Sequence, residues 1–165
     1  MIVIENNFLN QKECEDLVQI YLSNSDKYIE WYGSYPLKIS NLSGEDLFFS
    51  KQICQIIVNL GVTIFGSNLY IERAEITKWE VESDKGYHRD DARDSTVLSS
   101  ITYLNNDYIG GETFFDNKLV VTPEVGKIIF FDGKKYLHGI SKVSKNPRYT
   151  LAIWYTDDIN KLIRW

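Results

Sequence analysis

Two histidines and a neighbouring aspartate are the residues in this sequence best suited to hold a metal ion. His88 stands in the segment Tyr87-His88-Arg89-Asp90, and the only other histidine of the chain is His138. In extended backbone, residues i and i+2 point to the same face. His88 and Asp90 should therefore present an imidazole and a carboxylate side by side, whereas Asp91 should point the other way.

Two imidazoles and one carboxylate on one face of a metal form the facial triad typical of non-haem iron(II) oxygenases. Three protein ligands leave room on a six-coordinate ion for a bidentate cosubstrate and for dioxygen. A structural zinc site would instead use four protein ligands, usually with cysteine. Cys14 and Cys54 lie in stretches with a helical pattern and do not form a CxxC pair, so we expect two buried, reduced thiols.

Taken singly, each histidine has a simpler interpretation, because His88 could be a surface residue and His138 a core residue. The segment after His138 favours a chemical role. Arg148 and Thr150 come after the turn at Asn146-Pro147 and share one face of a predicted strand. An arginine fork binds a carboxylate bidentately, and a nearby hydroxyl adds a donor. A dicarboxylic 2-oxoacid needs such a partner for the carboxylate that does not chelate the metal.

The stretch from Trp79 to Thr156 resembles the catalytic core of the 2-oxoglutarate- and iron(II)-dependent dioxygenases, and within them the prolyl 4-hydroxylase branch. The HxD, GGxT and HG motifs are modest alone, but here they succeed one another in the family order. The matching pieces are Tyr87-His88-Arg89-Asp90, Ile101-Thr102-Tyr103-Leu104-Asn105, Gly110-Gly111-Glu112-Thr113-Phe114-Phe115, Pro123-Glu124-Val125-Gly126-Lys127, Leu137-His138-Gly139-Ile140 and Arg148-Tyr149-Thr150-Leu151-Ala152-Ile153-Trp154-Tyr155.

The resemblance implies a double-stranded β-helix, which is a jelly roll, and an enzyme that uses Fe(II), 2-oxoglutarate and dioxygen, with L-ascorbate in a supporting role. It implies that His88, Asp90 and His138 are the iron ligands. The residues expected around 2-oxoglutarate are Arg148, Tyr103, Thr113, Thr150 and Ile101. The residues expected near the substrate are Trp79, Tyr87 and Trp154. An apolar wall around the metal is expected from Ile101, Phe130, Ile153 and Trp154.

The expected substrate is a prolyl residue in a peptide or protein, which would be hydroxylated on a ring carbon. The loops near residues 24–43, 80–95 and 105–110 would have to bind it. Their aromatic side chains could line a groove for a prolyl peptide, or could equally well pack on the core: Tyr28, Trp31, Tyr32, Tyr35 and Tyr87. Two alternatives stay open, namely the same chemistry on another amino acid, a nucleobase or a small molecule, and a cupin-like module that binds a different divalent metal.

The elements that must position these residues are two helices and then a series of short strands. Asn10 to Glu13 has the pattern of a capping box, and a second helix should begin after Ser43 and end at Gly61 or Gly66. Residues 24–43 are predicted to be loop. Strands are predicted near residues 69–79, 96–104, 111–115, 118–122, 127–131, 137–143 and 148–156.

This order predicts a mainly β (α+β) fold, a jelly roll with the N-terminal helices packed on one sheet. Its 165 residues suit a single domain, with helical support over 1–67 and a catalytic β core over 68–156.

Charge and hydropathy narrow the expected partners. The net charge is -5 and there is no run of Lys and Arg, so a broad nucleic-acid footprint is disfavoured. The sequence shows no uninterrupted apolar run of the roughly 20 residues that a transmembrane helix needs. The N-terminal residues lack a cationic, then apolar, signal pattern. We therefore expect a cytoplasmic protein that binds neither membranes nor nucleic acid.

Overall fold

The computed structural model describes residues 1–90 and 92–165, in which two α-helices and twelve β-strands are found. The helices are α1 (Gln11–Ser23) and α2 (Gly44–Phe65). The strands are β1 (Ile2–Glu5), β2 (Ser34–Lys38), β3 (Tyr70–Trp79), β4 (Lys85–His88), β5 (Thr96–Tyr103), β6 (Ile109–Gly110), β7 (Thr113–Phe115), β8 (Val120–Val121), β9 (Ile128–Phe131), β10 (His138–Ile140), β11 (Val143–Ser144) and β12 (Arg148–Thr156). Two short 3-10 helices cover Ile39–Asn41 and Ile159–Lys161.

The strands form two main antiparallel sheets and a short pair. The larger sheet has six strands in the order β1-β9-β5-β12-β3-β2, and the smaller has four in the order β4-β10-β7-β8. Strands β11 and β6 form a two-stranded ribbon. The predicted mainly β jelly roll with two N-terminal helices is confirmed.

The two faces of the larger sheet have different roles, as β12 shows. Leu151 and Ile153 are fully buried in the core beneath the helices. Thr150 and Trp154, which alternate with them, line a cavity on the other face. Successive side chains of a strand point to opposite faces, so one strand serves both the core and the cavity.

The same alternation corrects the apolar wall predicted around the metal. Ile101 and Trp154 do line the cavity. Phe130 and Ile153 instead belong to the core cluster that packs under α1 and α2. The prediction was wrong for these two residues because a sequence reveals the alternation within a strand but not which face meets which layer.

Helix α1 begins where its capping box predicts. The side chain of Asn10 accepts a hydrogen bond from the Glu13 backbone N–H at 3.0 Å, and Glu13 accepts one from the Asn10 N–H at 2.8 Å. Both bonds satisfy donors that a helix N-terminus otherwise leaves without partners. The helix packs its apolar side on the larger sheet through Cys14, Leu17, Ile20 and Tyr21.

Helix α2 runs from Ser43, its N-cap, to Gly66, its C-cap. Gly66 has a φ of 65°, in the left-handed region that suits glycine at this position. Gly61, the other predicted end, lies inside the helix, where a Cβ atom would come within 3.1 Å of Leu69 Cδ1. Glycine at 61 therefore allows close packing and does not end the helix.

By length and composition, α2 is apolar enough to cross a membrane, although its apolar residues do not form one uninterrupted run. One side of the helix is nevertheless buried against the sheet through Ile53, Cys54, Ile57 and Val58. Core helices of water-soluble proteins pass the same test, so this observation is weak evidence for a membrane.

Residues 24–43 are not simply a loop, because β2 forms at the edge of the larger sheet. It pairs with β3 from Ser34 opposite Trp79 to Lys38 opposite Glu75. The proline at position 36 suggested a loop, but an edge strand tolerates proline because one side of its backbone has no partner strand. Strand β2 brings three residues of this segment, Ser34, Pro36 and Lys38, to the cavity.

Candidate active site

The two histidines of the predicted triad lie directly opposite each other on neighbouring strands. His88 ends β4 and His138 begins β10, and the two residues are paired in the register of the smaller sheet. Their ring centroids are 4.3 Å apart. Asp90 lies two residues after β4, where its backbone N–H donates to the carbonyl of Gly133 at 2.9 Å.

One potential ligand atom from each of His88, Asp90 and His138 lies within 4.8 Å of the others. The Nε2 atom of His138 is 3.7 Å from Oδ1 of Asp90. Residues far apart in sequence are thus brought together with the atoms and spacing that a divalent ion needs. Asp91, the acid expected to point away, lies outside the described residues.

The hydrogen bonds of both rings prepare Nε2 for a metal. His88 Nδ1 is 3.1 Å from the carbonyl oxygen of Gly86, and His138 Nδ1 is 3.2 Å from that of Tyr136. An Nδ1–H that donates to a carbonyl fixes the tautomer with a free lone pair on Nε2. Burial lowers the pKa of His88 to about 4 and also lowers the pKa of His138, so both rings are neutral near pH 7. The donor set therefore fits Fe(II).

Two residues without a recognisable sequence motif hold Asp90 in place. Ser99 Oγ donates to Asp90 Oδ2 at 2.6 Å, which leaves Oδ1 on the side of His138. A Cβ atom at Gly133 would lie 2.7 Å from both Cβ and Oδ2 of Asp90, so only glycine leaves room for the carboxylate. In the sequence, Gly133 is recognisable only as part of an Asp-Gly pair typical of turns.

Ser99→Ala should lower the affinity for Fe(II) by roughly 10–100-fold, the usual effect of losing a group that orients a metal ligand. The physical reason is the loss of the hydrogen bond that fixes the rotamer of Asp90. Metal titration under nitrogen measures the affinity. Ser95→Ala, which removes a hydroxyl bonded to Glu72 instead, is the control. An unchanged iron affinity in Ser99→Ala would show that Asp90 does not need this bond.

Arg148 is a buried cation without an acidic partner among the described residues. It is 1% exposed, and its Nη2 has a long contact of 3.4 Å to Thr113 Oγ1. Its Nε has no hydrogen-bond partner in the described part of the chain. A buried charge is costly unless it is paired, so this guanidinium fits the carboxylate of a bound ligand.

Hydroxyl groups surround the same guanidinium. Tyr103 is fully buried, its hydroxyl donates to Thr113 Oγ1 at 2.7 Å, and the guanidinium carbon of Arg148 lies 5.2 Å from its ring centroid. The buried hydroxyl of Tyr108, a residue that no sequence motif indicated, has no partner among the described residues. Burial raises the pKa of both tyrosines, so both stay protonated as donors. This pocket fits the far carboxylate of 2-oxoglutarate.

A cavity of about 420 Å³ lies beside the triad. Of the residues predicted from sequence, Thr150, Ile101, Trp79 and Trp154 line it. Tyr87 does not: it is 57% exposed and packs edge-on against Phe114 with a centroid distance of 5.0 Å. Tyr87 precedes His88 in β4, so its side chain points to the opposite face, and its predicted place at the substrate is corrected.

Some of the loop aromatics pack on the core, and others are exposed at or near the cavity. Tyr28 stacks on Tyr21 of α1 at 4.9 Å and meets Tyr35 edge-on at 5.9 Å, so these residues pack on the core. Trp31 is 58% exposed and lines the cavity. Tyr32 is 82% exposed and contacts Trp31 edge-on.

Fold and site together define a jelly roll in which two histidines and one aspartate converge as candidate ligands for a divalent metal ion. Residues 74–156, which are about half of the chain, match the family model described as the 2OG-Fe(II) oxygenase superfamily. The chain therefore belongs to this superfamily. Family membership and the buried arginine together favour this class over the cupin-like alternative.

Comparisons with individual proteins point to prolyl hydroxylases. The chain is 37% identical to human prolyl 3-hydroxylase 2 over 67 residues, which is 36% of this chain and 10% of that protein. It therefore spans only a small part of this curated relative. The predicted resemblance to prolyl hydroxylases is confirmed by this partial sequence match.

Solved structures show the same fold at low sequence identity. A prolyl hydroxylase from Trichoplax adhaerens, in complex with a peptide fragment of the oxygen degradation domain of hypoxia inducible factor, has a TM-score of 0.79 at 16% identity, covering 94% of this chain and 83% of that one. The non-haem α-ketoglutarate-dependent epimerase SnoN from nogalamycin biosynthesis has a TM-score of 0.76 at 17% identity, covering 94% and 77%. Because two different activities share it, the fold does not select the substrate.

Proposed function

We propose that this oxygenase hydroxylates a ring carbon of a prolyl residue in an exposed peptide or protein segment. The observation that carries the proposal is the 37% identity to human prolyl 3-hydroxylase 2 over 67 residues. Exposed apolar side chains that line the cavity, Ile29 and Trp31, also support it. Related chemistry on another amino acid or on a small molecule is the alternative.

The triad has a distinct part in this proposal. His88, Asp90 and His138 would hold the iron ion, and the hydrogen bonds at both Nδ1 atoms and at Asp90 Oδ2 fix the orientation of these three side chains. When bound, iron with 2-oxoglutarate and dioxygen supplies the oxidant for C–H hydroxylation, and 2-oxoglutarate ends as succinate and carbon dioxide.

The pocket around Arg148 orients 2-oxoglutarate. Arg148 neutralises the carboxylate far from the metal, and Tyr103 adds a hydroxyl donor. Thr113 contacts both side chains and sets their relative position. Thr150 and Ile101 line the larger cavity. Binding energy from these buried contacts fixes the reactive end of the cosubstrate, which is the protein's contribution to rate through positioning.

The cavity mouth suits a short extended segment. Trp31 and Ile29 are exposed at 58% and 63% and line the opening, where they could contact a proline ring or its neighbours. Proline fixes its own φ angle, so a prolyl segment loses less conformational entropy when it docks. A few loop contacts can therefore be enough to bind it.

The test supplies the purified protein with Fe(II), 2-oxoglutarate, ascorbate and a panel of peptides that contain proline. Succinate release and peptide mass are measured together. The expected result is succinate formed in step with a mass gain of one oxygen atom on proline. Fragmentation and comparison with 3- and 4-hydroxyproline standards then identify the ring carbon.

Matched peptides in which alanine replaces proline are the control. Succinate without a heavier peptide would mean uncoupled turnover and a different substrate. A heavier residue other than proline would keep the oxygenase chemistry and overturn the prolyl target.

A further inference from the structure

A charged wall of the cavity takes no part in holding the metal or the proposed 2-oxoglutarate pocket. It is formed where β3 and β12 pair, with Arg73 opposite Trp154 and Glu75 opposite Ala152. All four residues line the cavity. Trp154 is also opposite Ser99, the residue that bonds Asp90, so this wall lies next to the triad. Arg148 lies six residues away along β12, towards the other end.

Two hydrogen-bond donors in this wall are buried without a partner in the described part of the chain. They are Nε of Arg73 and Nε1 of Trp154. The guanidinium carbon of Arg73 lies 3.8 Å from the Trp154 ring centroid, so the two side chains are stacked and hold each other in position. Buried polar groups in folded proteins nearly always have partners, so two adjacent unsatisfied donors on residues that line the cavity point to acceptor atoms from outside the described chain.

The acids nearby do not satisfy these donors. Glu75 Oε1 is 3.6 Å from Arg73 Nε, which is beyond hydrogen-bond distance. Glu72 is bonded by the hydroxyls of Ser95 and Thr96, and it forms an ion pair with Arg93 at 3.7 Å. Glu75 thus helps to place the guanidinium of Arg73, while Glu72 is used elsewhere.

The charge of the cavity supports an anionic ligand. Its described lining residues include five basic side chains and three acidic ones, and one of the acids is Asp90 of the triad. The basic residues are Lys38, Arg73, Lys85, Arg89 and Arg93. The whole chain, in contrast, has a net charge of -5. A basic cleft in an acidic protein concentrates anions at the cleft and repels them elsewhere.

We propose that Arg73 and the indole N–H of Trp154 bind a carboxylate of the substrate and so hold the reacting C–H bond near the metal. This inference rests on the proposed hydroxylase function of the same cavity. The carboxylate has two sources, the α-carboxylate of a free amino acid or C-terminal residue, and the side chain of an acidic residue next to the target. In both cases the enzyme selects an anionic substrate over its neutral amide.

The experiment measures binding under nitrogen to protein loaded with Fe(II) and 2-oxoglutarate, so that no turnover occurs. One pair of probes is N-acetylproline and N-acetylprolinamide, and a second is a pair of peptides with Asp or Asn next to an internal proline. Identical acid and amide pairs built on non-prolyl amino acids complete the panel. Wild-type protein should bind the acid of at least one pair about tenfold or more tightly than the amide.

Variants test which residue causes the preference for the acid over the amide. Arg73→Gln should reduce the acid-to-amide preference to near one, Arg73→Lys should restore part of it, and Trp154→Phe, which keeps a ring but loses the N–H, should weaken it. Affinities for iron and 2-oxoglutarate should stay at wild-type values, which shows that the variants fold. Arg164→Gln, at an exposed position, should keep the full preference.

Equal binding of acids and amides by wild-type protein, or an acid preference that persists in Arg73→Gln, would overturn the proposal. The pair that shows the preference identifies the source of the carboxylate. If acids are preferred but no prolyl compound is hydroxylated, the prolyl target fails and the carboxylate site stands. If prolyl amides and acids are hydroxylated equally well, the prolyl target stands and the carboxylate site fails.

Discussion

Replacing Asp90 with alanine is expected to abolish turnover and to remove tight iron binding. Asp90 would supply the one negative charge of the triad, and without it two neutral imidazoles remain to hold a dication. The loss of affinity should exceed the roughly 10–100-fold that an outer contact is worth. Iron titration under nitrogen and succinate release in air measure the two effects. The circular dichroism spectrum of the variant should match that of the metal-free wild-type protein, because no core residue is altered.

Asp91→Ala is the matched comparison, since it removes the same group one position further along the chain. Strand alternation in the sequence predicts that this variant keeps most of its activity. An inactive Asp91→Ala together with an active Asp90→Ala would disprove the assignment of the metal ligand.

Arg148→Ala should weaken 2-oxoglutarate binding by roughly 2–5 kcal/mol, the range for truncating one partner of a buried charge pair. That range corresponds to about 30-fold to several thousand-fold in Kd. Iron affinity should be unchanged, because Arg148 contacts Thr113 and Tyr103 rather than the triad. Titration of 2-oxoglutarate into the iron-loaded protein under nitrogen gives the constant.

Tyr103→Phe should act in the same direction but more weakly, by about 1 kcal/mol, because one neutral hydroxyl is lost. Arg164→Ala, an exposed arginine, is the control and should bind 2-oxoglutarate as the wild type does. Unchanged 2-oxoglutarate affinity in Arg148→Ala would show that another group binds the far carboxylate.

The candidate ligands could be predicted from sequence because their chemistry is carried by rare residues. The chain has two histidines, and alternation in extended backbone selected Asp90 rather than Asp91. Ser99 and Gly133 could not be predicted in the same way. Their effect on Asp90 depends on how β5 and the turn after β9 meet the end of β4, which no local pattern in the sequence encodes.

The fold shows the same division between local and long-range information. The caps of α1 and α2 are short-range features, and Asn10, Glu13 and Gly66 act as the sequence predicted. Strands β1 and β2 were missed because each is four or five residues long and shows too little alternation to be recognised. The prediction for Phe130 failed because it required knowing which layer each face of β9 meets.

Because His88 and His138 lie directly opposite each other on β4 and β10, a bound metal would also stabilise the pairing of these strands. Strand β4 lies at the edge of the smaller sheet, and its one partner in that sheet is β10. An ion held by both imidazoles would join these strands as a cross-link, much as a disulfide would, and Asp90 would extend the link to the segment beyond β4. Metal binding and the stability of this sheet edge are then thermodynamically coupled. Removing the ion would take away the anchor for the cosubstrate and would also loosen the strand that leads into the loop before β5.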